Sequence, residues 1–445
     1  MTPARESELP TTVPEKKRGP VIRFLRVLGP GLVTGAADDD PSGVATYAQA
    51  GATYQNGLLW TVPVVLPLMM AAQEICDRTV LATGNSLGRL IREKFTRRWR
   101  IVIGVLLVAL VIANVLNGGA DLMAIGQGMQ LLHAGPAPLW SAGAGIAITV
   151  SLIFGSFGMI GRIFKWLCLV LLVYVVVLVV AHLDWADVAL GLVGGRFRLT
   201  PAYLGLVVAV LGTTISPYMF FWQTAQRVEE MREEKLGGDL APSLDERTRQ
   251  GARRKLTDSR IDVFTGMAFS VIIMFAIIAA TAATLGEHHK TVTSAAEAAQ
   301  ALAPVAGSYA SIIFAIGFIG SGVLAVPVLA ASGAAGMAGL LEKEWGFDRS
   351  VRKAPVFYGI LVVGIILGTV LSIVSANPIQ LLVLSATVNG IAAGPFLVIV
   401  MLIARDRKIM GDYRNGRLAS TMGWIVTAVM CVAGAYGVWY TLFGQ

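Results

Sequence analysis

Eleven apolar stretches, each long enough to cross a bilayer, follow one another along this chain, and very few architectures accept that pattern. They lie near 24–52, 57–82, 101–132, 142–158, 164–182, 203–230, 262–285, 308–340, 355–375, 378–404 and 420–443. Charged residues make up 14% of the chain, where a soluble domain carries about 25%. The expected fold class is an all-α polytopic membrane protein with 11 transmembrane helices. Residues 1–20 are polar and lack an apolar run ahead of a small-residue cleavage site, so a disordered cytosolic tail is expected there rather than a signal peptide.

A net charge of +8 invites a nucleic-acid reading, but its placement argues otherwise. With the N-terminus inside, the cytosolic segments collect Lys16, Lys17 and Arg18, then Arg92 to Arg100, Arg162 and Lys165, Arg247 to Arg260, Lys343 to Lys353 and Arg405 to Arg417. The outside segments keep Arg196, Arg198 and Lys290. Loop after loop this obeys the positive-inside rule, giving a multi-pass inner-membrane protein with a cytoplasmic N-terminus and an external C-terminus. Lipid is then the partner, and nucleic acid is not.

Two of the stretches are interrupted. In the first, Asp38-Asp39-Asp40-Pro41-Ser42-Gly43 breaks an apolar run; in the sixth, Gly212-Thr213-Thr214-Ile215-Ser216-Pro217-Tyr218 does the same. Proline restricts the residue before it and removes a backbone donor, so continuous helix is not expected at either place. The breaks stand five spans apart, and an odd number of spans reverses the direction of entry. Inverted repeats result, with a site at the midplane between two unwound helices. The expected organisation is a tail at 1–20, a first five-helix repeat at 21–200, a second at 201–405, and a cytosolic loop with helix 11 at 406–445.

Carboxylate at bilayer depth costs about 2.5–3.5 kcal/mol per Asp on insertion scales and is normally kept for ion or substrate pathways. Asp40, with Asp38 and Asp39 beside it, offers anionic oxygen. Ala37 and Thr213 offer carbonyls, Ser216 and Thr214 hydroxyls, and Tyr218 and Gly43 complete the neighbourhood. All of these ligands are oxygen, which suits hard divalent cations. Plainer readings stand beside this one: a proline break that only serves packing, an acidic run at the membrane interface, or Asp121 as a simple partner for Asn117. Cys76, Cys168 and Cys431 are scattered among the spans, with neither disulfide nor zinc spacing, and are expected as buried small apolar groups. His288 and His289 read as loop surface, Gly155 to Lys165 as a short inside turn, Asp184 to Leu199 as an outside loop, and Glu229 to Asp262 as a solvated connector with some helix. No nucleophile–base pair or cofactor loop is present, so neither an enzyme nor a resident cofactor is expected.

The residues Gly29-Pro30-Gly31, Asp40-Pro41-Ser42-Gly43 and Ala48-Gln49-Ala50-Gly51-Ala52 resemble the first-span signature of the Nramp family of divalent-metal transporters. Ser216-Pro217-Tyr218 stands where that family carries Met-Pro-His, and Arg407 to Arg417 resembles its last inside loop. The resemblance implies a LeuT-type fold with metal held between spans one and six, and Asp40 as the metal-binding Asp. The departures are specific: Gly43 replaces an Asn ligand, Ser216 the soft Met, and Tyr218 the His linked to proton movement. In the third span Gly118 and Asp121 stand opposite an acidic pair. The tenth-span Gln falls near Ala386 or Thr387, with Asn389 the nearest amide.

Loss of sulfur and amide resembles the magnesium-transporting branch of the family. The expected function is a carrier of Mg2+, with Mn2+ next, as a partly hydrated ion, by alternating access without proton coupling. The alternatives are a proton-coupled Mn2+/Fe2+ symporter, a sodium-coupled carrier of an organic substrate, and a metal-binding sensor or scaffold without flux. Expected site residues are Asp40, Ala37, Gly43, Thr213, Ser216 and Tyr218, then Asp39 and Asn389.

Overall fold

The computed structural model describes residues 27–155, 157–180, 183–234, 241–284, 310–375 and 378–443. The N-terminal tail and the His288–His289 pair lie outside them. All regular structure among the described residues is helical. In chain order the helices are α1 (Pro30–Asp38), α2 (Pro41–Tyr54), α3 (Thr61–Thr83), α4 (Leu87–Lys94), α5 (Arg97–Leu131), α6 (Ala137–Phe154), α7 (Phe157–Val170), α8 (Leu172–Val180) and α9 (Trp185–Leu192). There follow α10 (Pro201–Thr214), α11 (Pro217–Glu233), α12 (Arg249–Thr284), α13 (Ala310–Leu340), α14 (Pro355–Val374), α15 (Pro378–Ala404), α16 (Arg407–Met410) and α17 (Arg417–Phe443).

Among the described residues nine helices are long and apolar enough to cross a membrane, α7 counting with α8 and α10 with α11; Pro41–Leu58 and Thr61–Thr83, bent by 111°, pass the same test as a pair. The expected count of eleven exceeds this for two reasons. The halves α1 and α2 have only 9 and 14 residues, and α3 carries Gln73, Glu74, Asp77 and Arg78. Large apolar side chains face outward along the bundle, Phe154, Val179, Val105 and Val363 among them. Water would not tolerate such a surface, whereas lipid does.

Both proline breaks form as expected, and each is two residues long. Asp40 and Ser216 take extended backbone, ψ 168° and 139°, directly ahead of Pro41 and Pro217, which open the second half-helices. The interruptions fall at 39–40 and 215–216, so Ala37 and Thr213 lie in the last turns of α1 and α10 rather than in unwound chain. Carbonyls in a last turn lack helical amide partners, which leaves both to bond to side chains or ligands.

Helix α1 lies backbone to backbone on α12. A Cβ on Gly35 would come within 2.0 Å of the Gly266 carbonyl oxygen, and one on Gly31 within 2.7 Å of Asp262 carbonyl carbon. Only glycine allows this approach. Elsewhere, α5 and α13 pack along their lengths, and α15 rests on α10 and α17. At the far end of α2, Trp60 donates to Tyr203 (2.7 Å), and Tyr203 donates to the Gly57 carbonyl (2.6 Å).

Several sequence expectations need correction. Gly155 to Lys165 is not a turn: α7 starts at Phe157, because Ile160 and Phe164 give it a buried stripe. The loop expected at Asp184–Leu199 contains α9, capped by Asp184. Of the charged connector Glu229–Asp262, the two ends are helix, the end of α11 and the start of α12, and Glu229 and Asp262 are buried. Cys431 is exposed on α17, while Cys76 and Cys168 are buried.

Candidate metal site

The acidic triplet is wholly buried, yet its members part company. Asp40 caps α2. One carboxylate oxygen accepts from the Gly43 amide (2.7 Å) and the Ser42 hydroxyl (2.6 Å); the other accepts from Asn117 Nδ2 of α5 (2.8 Å). Asn117 is itself held by the Ser385 hydroxyl of α15, 2.7 Å from its amide oxygen. Asp38 turns the other way and accepts from Ser270 of α12 at 2.5 Å, with Asp39 3.4 Å from the same hydroxyl. Among the described residues no three His, Cys, Asp or Glu side chains stand together as a metal cage. Of the triplet it is thus Asp40 that stands at this junction, held by neutral donors.

The two breaks do meet. The Tyr218 hydroxyl, at the start of α11, donates to the Ala37 carbonyl at 3.2 Å. A Cβ on Gly43 would come 2.9 Å from the Asp38 carbonyl oxygen and 3.2 Å from Thr213 Oγ1, so α2 and α10 touch at the same level. Ser216 stays within its own break, its hydroxyl donating to the carbonyls of Gly212 (2.5 Å) and Thr213 (3.0 Å). Asn389 is buried on α15, beside the Gly390 that packs against Gly212. Thus Ala37 joins Tyr218 and Gly43 joins Thr213, while Asp39 sides with Ser270 and Ser216 folds back on its own helix.

Several buried oxygens here have no protein partner: one each on Asp38, Asp39 and Asn389, the Thr213 and Tyr47 hydroxyls, and both carboxylate oxygens of Asp121. Native interiors leave few such groups, and a bound ion is one reason for their presence. The reading of Asp121 as partner to Asn117 is corrected, because Asn117 spends its amide on Asp40 and Ser385. A Cβ on Gly118 would meet nothing within 4 Å, and the residue lines a cavity with Val115, Leu122, Val326 and Ile365.

One buried charge cluster is not legible in the sequence. At the basic end of the bundle Asp262 accepts from the backbone amides of Gly29 (2.7 Å), Gly31 (2.8 Å) and Leu32 (3.1 Å), capping α1 from another helix. Arg227 of α11 bonds Asp262 (2.8 Å) and both oxygens of Asp77 on α3 (2.9 and 3.0 Å). Ser259 and Gln223 also donate to Asp77, and Thr34 of α1 donates to Gln223. One signal was available: Asp77 in mid-helix requires a buried cation. Which cation supplies it depends on tertiary packing.

The pattern of the family described as "Natural resistance-associated macrophage protein-like" (Nramp) matches residues 31–440. The chain is similar to the divalent metal cation transporter MntH of Deinococcus radiodurans, 26% identical over 95% of this chain and 92% of the relative. It is also similar to that of Ralstonia nicotianae, 27% identical with the same coverage. The crystal structure of the Eremococcus coleocola manganese transporter superposes with TM-score 0.75 at 17% identity, over 96% of this chain and 89% of the other. Mhp1, a nucleobase-cation-symport-1 family transporter, gives 0.53 at 16%, over 92% and 90%. The structural likenesses share the LeuT-type fold, and the family match covers nearly the whole chain: it belongs to the Nramp family.

Proposed function

We propose that this protein is a secondary transporter that carries a divalent metal cation across the cell membrane by alternating access. One observation carries the reading: Asp40, a buried carboxylate, sits where two interrupted helices meet, and the candidate ligand atoms there, carboxylate, carbonyl and hydroxyl, are all oxygen. The relatives called divalent metal cation transporters supply the substrate class. Oxygen-only chemistry favours Mg2+, partly hydrated, with Mn2+ next. Asp40 is the charged ligand, with the Ala37 and Thr213 carbonyls and the Ser216 hydroxyl around it. Asp39, Gly43, Tyr218 and Asn389 form the surround.

Binding requires exchange of hydrogen bonds. Ser216 leaves the Gly212 and Thr213 carbonyls, and Tyr218 releases Ala37, each bond worth a net of about 1 kcal/mol. The basic end of the bundle faces the cytosol. Membrane potential then draws the ion inward, worth about 2.3 kcal/mol per charge per 100 mV.

A proton-coupled Mn2+ symporter is the second reading. It is favoured by the manganese transporter that shares this fold and by Asp121, a fully buried carboxylate without a protein partner. Against it stand Gly118 beside an apolar cavity and Tyr218 in place of a basic group. Uptake into liposomes, with internal metal and pH dyes, tests both. Mg2+ entry without acidification, lost in Asp40→Asn, is expected; Mn2+ entry with acidification selects the second reading. Binding of either metal without flux would replace both by a sensor.

A further inference from the structure

Away from the ion path, the basic end of the bundle holds a second concave feature, of about 430 Å³. Arg89 of α4, Arg232 in the last turn of α11, and Lys343, Trp345, Arg349 and Lys353 of the 341–354 connector wall it. Small-molecule pockets span about 300–1,000 Å³. Five cations in the lining face two carboxylates, Glu342 and Glu344. Glu342 pairs with Arg92 (2.7 Å), and Glu344 pairs with Arg349 (3.4 Å). Lys343 and Lys353 have no ion-pair partner among the described residues, and Arg89 pairs with Glu93 of its own helix at 3.2 Å. The balance is a surplus of positive charge in a hollow.

Basic loops at this end already follow from membrane topology, and by that account alone these side chains would splay into solvent. The geometry is more ordered than that. The Arg232 guanidinium lies 4.5 Å from the centre of the Trp345 ring and donates to the Trp345 carbonyl (3.2 Å) and to Asp348 (3.3 Å). Buried Glu229 accepts from the Phe347 amide at 3.1 Å. Gly346 has φ +114°, where a Cβ would fall 2.5 Å from Asp348 Oδ1. The connector is thus clamped to α11, and its Arg232 is held in place before any ligand arrives.

We infer that this pocket binds a phosphate-bearing anion of nucleotide size. A fixed guanidinium with two unpaired ammonium groups is the donor set that phosphate oxygens select. The anion is supplied either as a free cytosolic polyphosphate or as the headgroup of an anionic lipid. Arg232 belongs to α11, the second half of an interrupted helix, so the ligand grips the element whose other end carries Tyr218.

The test uses purified full-length protein and the exposed double variant Lys343→Gln/Lys353→Gln. Metal-free ATP in EDTA is titrated by calorimetry in neutral detergent. Thermal stability is then measured in nanodiscs of phosphatidylcholine with and without phosphatidylglycerol. ATP binding that weakens at least tenfold in the double variant supports the inference with a free polyphosphate as ligand. Stabilisation by phosphatidylglycerol in the parent protein, lost in the variant, supports it with lipid as the source. If neither ligand distinguishes parent from variant, the inference is overturned. Basal metal uptake from phosphatidylcholine liposomes is expected unchanged in the double variant, so this result stands apart from the transport reading.

Discussion

Replacing Asp262 should unlatch α1. Its carboxylate accepts four hydrogen bonds, from the amides of Gly29, Gly31 and Leu32 and from Arg227. All four donors are stranded in Asp262→Ala while the end stays shut. Breaking a buried ion pair by removing one partner costs about 3–5 kcal/mol. Arg227 keeps its two bonds to Asp77, so the lower end of that range applies. In the opened state the three amides reach water and Arg227 gains solvent, so the penalty falls on the closed state alone. About 3 kcal/mol at 1.36 kcal/mol per decade shifts the closed–open ratio by about two decades. Asp262→Asn keeps an acceptor for part of the amide set but loses the charge, and should fall between the two. The assay is the rate of maleimide modification of Ala36→Cys, on a background lacking the three native cysteines, from the cytosolic side. Ala36 is fully buried in the closed arrangement. A rate rising from parent to Asn to Ala is expected. Rates equal in all three proteins, with folded protein retained, would refute the latch.

Other substitutions test the surroundings. Ser216→Met should raise competition by Mn2+ against Mg2+ in uptake, because it sets a soft sulfur at the break; unchanged competition argues against that position as a ligand. Gly35→Ala puts a methyl 2.0 Å from the Gly266 carbonyl oxygen and should cost about 1–3 kcal/mol by overpacking, read as lost thermal stability or higher Ala36→Cys reactivity. Gly118→Ala, with open space at its Cβ, should be near neutral in the same assays. Asp406, in the connector before α16, is held below the usual carboxylate range by Lys94 and by the Lys408 amide. A depressed carboxylate contributes stability above its unfolded pKa of about 4 and loses it as pH falls through the lower folded value. The half-exposed pair is worth at most about 1 kcal/mol. The melting difference between parent and Asp406→Asn should therefore be small and constant from pH 8 to 5, closing only in stronger acid.

What could be read from the chain alone was local. Asp40-Pro41 and Ser216-Pro217 declared their breaks because proline constrains its immediate neighbour, and the structure differs only in extending α1 and α10 to the very edge of each break. The partners of the acids were beyond reach. Ser270, Asn117 and Ser385 come from three other helices, and no rule of spacing selects one hydroxyl or amide among so many. In the connector from Glu229 to Asp262 the expected helix forms, but its buried side is not legible, for a related reason. A dense run of both charges reads as solvated, yet helical geometry sorts it: Arg253 and Arg254 face out, while Ser259 and Asp262 turn in toward Asp77 and Arg227.

Division of the triplet also bears on how a single ion can move. Asp40 reports to α5 and, through Ser385, to α15, whereas Asp38 and Asp39 report to α12. Helix α12 is also the bed on which α1 lies, glycine against backbone, and the source of the Asp262 that caps it. If α1 swings away in the proposed cycle, Asp38 must part from Ser270 at one end as the α1 amides part from Asp262 at the other. Asp40 stands on the far side of the break, at the head of α2, and keeps its bonds to Gly43 and Ser42 throughout, because these lie within α2 itself. The arrangement allows the carboxylate proposed to hold the ion to stay fixed while the neighbouring half-helix moves. The Ala37 carbonyl, on α1, would leave with that half-helix and give up its contact to the ion.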